Sequence, residues 1–224
     1  MTELLSRRES NKLEKERCIL TAALRVFSSQ GYTGAALDRI AAEAGVSKPT
    51  LYQYFGNKEG LFSAVLDDAK AQLLQPFTAT AGKSMVKVLL DFGFRYADFV
   101  LRPDLLSLAR LVIGEAERFP EIGRNYHRSG PQRALEGIIA YLKTLAAEGK
   151  LEIEDFELAA NDLWSLILST PRDLYLHIPD LAMSQAEINR YLFNGIRVFL
   201  KAYSTNIHAD LAELADLKAK AATA

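Results

Sequence analysis

The stretch Gly31 to Leu61, GYTGAALDRIAAEAGVSKPTLYQYFGNKEGL, leaves a folding chain few options. From Ala36 to Ala44 the apolar residues Leu37, Ile40, Ala41 and Ala44 recur at helical spacing, and Gly45 can end a helix at positive φ without steric cost. Val46 fills the corner. Ser47 has an N-capping hydroxyl and Pro49 falls in the first turn, where a missing N–H is harmless, so a second helix starts at Lys48. That helix turns Leu51 and Phe55 inward and exposes Lys48, Thr50, Gln53 and Tyr54. Gly56 and Asn57 stop it and cap a third helix that begins near Lys58.

A short helix with hydroxyls, an amide and a lysine at its front end has the size and chemistry to enter a major groove and meet phosphates and base edges together. Gln53 and Thr50 suit sequence reading, since glutamine pairs in bidentate fashion with adenine and threonine offers a methyl to thymine. Tyrosine hydroxyls donate to phosphate oxygens, and Lys58 adds charge at a helix N-terminus where free N–H groups already favour an anion. Tyr52 has a second reading, as a buried core ring, whereas Gln53 and Tyr54 read as more exposed. Helix, glycine turn, helix also occurs as plain scaffold in all-α proteins.

With the Gly45-Val46-Ser47 turn, Tyr52 and Tyr54 around Gln53, then Phe55 and Lys58, the chain resembles the TetR family of bacterial repressors, closely over Leu13 to Phe62 and loosely beyond. The resemblance implies an all-α fold of about nine helices. Residues 1–58 would form a three-helix helix-turn-helix DNA-binding domain, and 59–224 a helical bundle for effector binding and dimerisation. By position, Ser47, Lys48, Pro49, Thr50 and Gln53 would lie at the DNA with the last four against bases, while Tyr52, Tyr54 and Lys58 would hold phosphates. The family usually has Thr or Ser where this chain has Ala35, so that capping and phosphate contact is lost or passed to Thr33. A homodimer would bind a palindromic double-stranded operator and be released by a small molecule.

Charge agrees in sign. Nine bases against seven acids up to Gly60 give +2, leaving −3 for the rest of a chain whose formal charge is −1. So even a balance argues against general coating of nucleic acid. Arg7, Arg8 and Lys12 read either as an N-terminal arm reaching phosphates or as a solvated basic tail. At 224 residues, 49% hydrophobic, the chain can bury one large core or a small domain beside a medium one. Cys18 stands alone, which excludes an intramolecular disulfide and reads as a small, partly buried side chain. MTELLSRRES lacks an apolar signal core and no run approaches the ~18 apolar residues of a membrane span, so a cytoplasmic location is expected.

Beyond Leu61 the pattern stays helical, without strand-like alternation or repeats. The first helix, 11–30, presents Ile19, Ala23, Val26 and Phe27 to the DNA-binding core. The fourth carries Leu61, Phe62, Val65, Leu66, Ala69 and Leu73 before Pro76 ends or kinks it, and is a natural lever between domains. Helices over 84–101 and from Pro103 to about 118 follow, then a segment 121–128 and a helix from Pro131 to near Gly149. Two further helices, 155–176 and 184–203, have wide apolar faces: Phe156, Ala160, Leu163 and Ile167 on one, Ile188, Tyr191, Leu192, Gly195, Ile196 and Phe199 on the other. Intramolecular core accounts for part of this surface, and the family resemblance assigns the two helices to a four-helix dimer interface. The tail after Ile207 reads as a short surface helix on the dimer or as disorder beyond Lys218.

The run RLVIGEAERFPEIGRNYHRSG resembles a branch of the family that includes regulators of multidrug efflux, which implies a lipophilic or aromatic effector. A pocket could be lined by Phe92, Tyr96, Phe99, Leu111, Trp164 and Leu168, with Arg110, Glu115, Tyr126 or His177 as polar anchors. Each aromatic also reads as ordinary core, and Arg110 with Glu115 as a structural ion pair. Enzyme motifs are missing: the chain has no P-loop, GxGxxG, GxSxG or HExxH, and His127, His177 and His208 lack metal-ligand spacing, so neither catalysis, nor a metal, nor a cofactor is expected. The competing reading is a helical adaptor that binds protein and uses its helix-turn-helix as scaffold.

Overall fold

A computed structural model describes residues 7–71 and 82–221, and among them every regular element is an α-helix. The helices are α1 (Arg7–Gly34), α2 (Leu37–Glu43), α3 (Lys48–Phe55), α4 (Lys58–Ala71), α5 (Met85–Val100), α6 (Pro103–Glu115), α7 (Pro120–Ser129), α8 (Pro131–Ala147), α9 (Phe156–His177), α10 (Gln185–Tyr203) and α11 (Ile207–Ala221). The all-α fold is as expected, with eleven helices among the described residues where about nine were expected. The segment 121–128 is the full helix α7, started by Pro120, and the tail is α11. The expected continuation of the fourth helix through Leu73 to Pro76 lies outside the described residues, as do the side chains of Arg7, Arg8 and Ala69.

The chain divides into two compact units, one formed by Met1–Lys70 with Pro103–Gly130 and the other by Ala71–Arg102 with Pro131–Ala224. This division by packing differs from the sequence boundary at residue 58/59, because α4 up to Lys70, α6 and α7 fold with the N-terminal helices. In the first unit α1 buries Ile19, Ala23, Val26 and Phe27 as its spacing predicts, together with Ile40 and Ala41 of α2, Leu51 of α3, and Leu61, Phe62, Val65 and Leu66 of α4. The Phe27 and Phe62 rings meet edge to face at 5.1 Å between centroids, a geometry aromatic quadrupoles favour. Helix α6 lies along α1, where the Ser28 hydroxyl donates to the Asp104 carbonyl.

The second unit has one continuous core of α5, α8, α9, α10 and α11. Caps set its helix starts. Ser84 accepts from the Lys87 N–H, Asp155 from the N–H groups of Glu157 and Leu158, and Ser184 forms a reciprocal capping box with Glu187. Within the core, Leu163, Ile167, Leu192, Ile196 and Phe199 are fully buried, and truncating a leucine such as Leu163 to alanine costs about 2–5 kcal/mol. Helix α11 packs on α10 and buries Leu214 while Glu213 accepts from Ser84, so the tail is a structural part of this unit. Leu151 and Ser204 form an isolated antiparallel bridge, and the Glu152 N–H donates to the Tyr203 carbonyl at 2.9 Å, tying the entry of α9 to the exit of α10.

Candidate nucleic-acid interface

The turn between α2 and α3 is built as the sequence predicts. Gly45 adopts φ 67°, and the Val46 and Gly45 N–H groups return to the carbonyls of Ala41 and Ala42, so the last α2 carbonyls are satisfied by a six-to-one and five-to-two pair. Ser47 then caps α3, its hydroxyl accepting from the Thr50 N–H at 3.3 Å and lying 2.8 Å from the Thr50 hydroxyl, with Pro49 in the first turn. Leu51 is fully buried, which fixes the rotation of α3 and leaves Lys48, Pro49, Tyr52 and Gln53 exposed and Thr50 half-buried. Tyr52 is 43% exposed, which removes the buried-core reading of that ring. Tyr54, expected to be the more exposed tyrosine, is half-buried with its ring 6.0 Å from Phe55.

The far end of α3 is equally determined. Gly56 takes φ 72° at the C-cap, Asn57 accepts from the Gly60 N–H at 2.7 Å to cap α4, and a Cβ at Gly60 would overlap the Phe55 carbonyl oxygen. This tight corner holds α4 against the reading helix.

Three assigned residues are engaged within the protein. Lys48 Nζ lies 2.9 Å from the Asp38 carboxylate on α2, and that hydrogen bond raises the ammonium pKa above its usual value. Lys58, expected at a phosphate, donates to the Thr33 carbonyl at 3.1 Å and sits 5.1 Å above the Tyr32 ring. Burial lowers its pKa, with the Glu115 carboxylate opposing the shift. Thr33 donates its hydroxyl to Glu115 and caps nothing; α2 starts at Ala36 without a side-chain cap, and Ala35 is buried. Neither Asp38 nor Glu115 was marked by the sequence as belonging here, because partners ten and 82 positions apart leave no local periodicity.

The pocket residues are distributed between the units. In the second unit Phe92, Tyr96 and Leu168 are buried, the Phe92 and Tyr96 rings stack at 5.9 Å, and half-buried Trp164 lies 4.5 Å from Tyr96, with Phe99 partly buried on the same core. His177 is exposed at the end of α9, its ring nitrogen 2.8 Å from the Asp173 carbonyl, and does not face an interior. Arg110, Leu111, Glu115 and Tyr126 belong to the first unit. Arg110 donates to Ser107 and Glu115 accepts from Thr33, so each has a local partner.

The expected dimer face requires correction. Ala160, Leu163, Ile167, Leu192, Gly195, Ile196 and Phe199 are buried inside the single chain, and Phe156 and Ile188 pack on its core. The two helices turn these faces toward each other and toward α5, because one chain can already bury them. What α9 and α10 leave to solvent includes Leu158, 62% exposed, while Leu166, Tyr191 and Val198 are half-buried. Cys18 is exposed, against the expectation of partial burial. Among the described residues no His, Cys, Asp and Glu cluster suits a metal, and no helix is long and apolar enough to cross a membrane.

Residues 19–65 match the model for bacterial regulatory proteins of the TetR family, and residues 87–205 match the AefR-like transcriptional repressor C-terminal domain. The HTH-type transcriptional activator FasR of Mycolicibacterium smegmatis is 48% identical over 126 residues, covering 47% of this chain and 58% of that protein. The chain spans about half the length of the curated relatives it first matches. A solved structure from Mesorhizobium loti, assigned to TetR-family transcriptional regulators, superposes with a TM-score of 0.78 at 29% identity over 90% of this chain and all of that one. The flavonoid-responsive regulator FrrA gives 0.69 at 29% identity over 85% and 97% of the two chains.

Proposed function

The chain belongs to the TetR family of bacterial regulatory proteins, and on that premise we propose that it is a ligand-responsive transcriptional regulator that binds a palindromic operator as a homodimer. The observation that carries the reading is α3: capped by Ser47, rotated by buried Leu51, and presenting Tyr52 and Gln53 to solvent. Gln53 and Thr50 read base edges, Lys48 and Pro49 lie at the groove beside them, and Tyr52, Tyr54, Thr33 and Lys58 contact the backbone. Lys48, Lys58 and Thr33 meet DNA by leaving their present partners Asp38, the Thr33 carbonyl and Glu115. An adaptor role with the helix-turn-helix as scaffold is disfavoured, since a scaffold has no use for a polar front on a capped reading helix.

In this reading residues 1–58 carry DNA recognition and 59–224 carry effector response and dimerisation, in the cytoplasm and without catalysis. Dimerisation uses the solvent side of α9 and α10, with exposed Leu158 on it, placing two reading helices about 34 Å apart. A small lipophilic or aromatic effector releases the DNA, in keeping with the aromatic cluster of Phe92, Tyr96 and Trp164 and with the flavonoid response of FrrA. Such a ligand acts only through unequal affinity for the two arrangements of the reading heads.

Selection of duplexes from a random pool, followed by a salt titration of the winner, tests the proposal. A palindrome bound with affinity that falls steeply with salt is expected. Failure to enrich any duplex would overturn the reading.

A further inference from the structure

Thr33 and Lys58, two residues the family resemblance assigns to DNA, meet at one corner of the first unit, where Thr33 is held by a carboxylate and Lys58 is close enough to feel its charge. The Thr33 hydroxyl donates to Glu115 Oε1 at 3.3 Å with Oε2 at 3.5 Å, and Lys58 Nζ donates to the carbonyl of the same threonine. Gly31 breaks α1 here at φ 74°, and a Cβ built on it would lie 3.9 Å from Glu115 Oε1. Tyr32, between the break and Thr33, places its ring beneath Lys58 and beside Phe62 and Phe119. The last residue of α6 thus faces the hinge at which α1 gives way to the reading head.

A carboxylate and a phosphodiester offer the same thing to this corner: anionic oxygens that accept from a hydroxyl and attract an ammonium. A threonine has one hydroxyl proton, so it donates to Glu115 or to a phosphate but not to both. A fixed negative charge at the same spot also repels an arriving phosphate. We propose that Glu115 is a positioning residue for DNA binding, an internal anion that holds the Thr33 hydroxyl beside Lys58 in the free protein and must give that hydroxyl up to a backbone phosphate in the complex. The inference rests on the reading of the chain as a DNA-binding regulator.

Glu115→Gln keeps the size of the side chain and one acceptor oxygen while removing the charge. On the full-length protein with the selected duplex, it is expected to tighten binding about two- to fivefold at low ionic strength, the range of an exposed charge pair. It is also expected to steepen the fall of log K with log salt by about one phosphate contact, and Lys58→Ala in the Glu115→Gln background should cancel that gain. Glu115→Ala, which lacks both charge and acceptor, should give the same sign, and circular dichroism of each variant reports whether it folds. Unchanged or weaker binding with an unchanged salt slope in both folded variants would overturn the proposal and leave Glu115 as a structural partner of Thr33. If the wild-type chain binds no duplex at all, the reading of the function falls first and this inference with it.

Discussion

Gly195 of α10 rests directly on the backbone of Leu166 in α9: a Cβ at position 195 would overlap the Leu166 carbonyl and lie 2.9 Å from the Ile167 nitrogen. Gly195 is therefore a close contact between two helices of one chain, and any partner chain must use another face.

Gly195→Ala forces α9 and α10 apart and should destabilise the second unit by about 1–3 kcal/mol, as overpacking of a tight contact does. Urea denaturation followed by circular dichroism measures the change. An alanine variant as stable as the wild type would show that the helices separate without loss.

Leu158→Arg probes the proposed dimer face. Leu158 is 62% exposed, so the substitution should leave the fold of the chain intact, as circular dichroism reports. Light scattering should nevertheless report a monomer, and affinity for a two-site palindrome should fall at least about tenfold as the avidity of two joined heads is lost. A variant that stays dimeric places the interface elsewhere.

At the reading helix, Gln53→Ala and Tyr52→Phe should part company. Loss of the amide should cost about 1–3 kcal/mol on the selected palindrome and relax the preference at one base pair in each half-site. Loss of the hydroxyl should weaken selected and random duplexes alike, since a phosphate contact carries no sequence information. Repeating the selection with each variant distinguishes the two.

Tyr203 donates its hydroxyl to Asp162 at 2.6 Å, and that hydrogen bond, with burial and the charge of Asp162 adding, pushes its pKa up to about 12 from 10.0. A raised pKa favours the protonated form in the folded state. Its stabilising contribution is therefore full below pH 10 and is lost as pH rises toward 12. Against Tyr203→Phe as reference, the wild type should lose more thermal stability over that alkaline window. Parallel curves for the two proteins would show that the bond to Asp162 carries no net stabilisation.

The stretch Gly31–Leu61 was legible because its signals are local. Gly45, Ser47, Pro49, Gly56 and Asn57 act on their own neighbours within four residues, and the helical spacing around Leu51 decides which side chains face water. Helix existence further along was legible for the same reason, although the ten residues of α7 are too few to read as a helix from spacing, and the tail, which reads either as a short helix or as disorder, is the helix α11.

What a face packs against is a different kind of question. The apolar stripes of α9 and α10 look the same in sequence whether they meet each other or a second chain, and only the close approach of Gly195 to Leu166 shows that they meet each other. Long-range electrostatics were hidden likewise. Lys48 with Asp38, and Thr33 with Glu115, are joined by the turns and crossings of the first unit rather than by spacing along the chain. Sequence alone determined the helix starts and stops around the turn and the inward place of Leu51, because these are fixed by interactions within a few residues, while which of Tyr52 and Tyr54 faces solvent was settled only by packing. Tertiary structure alone decided which apolar face is core and which polar side chains are already engaged, because packing brings together residues with no positional relation in the chain.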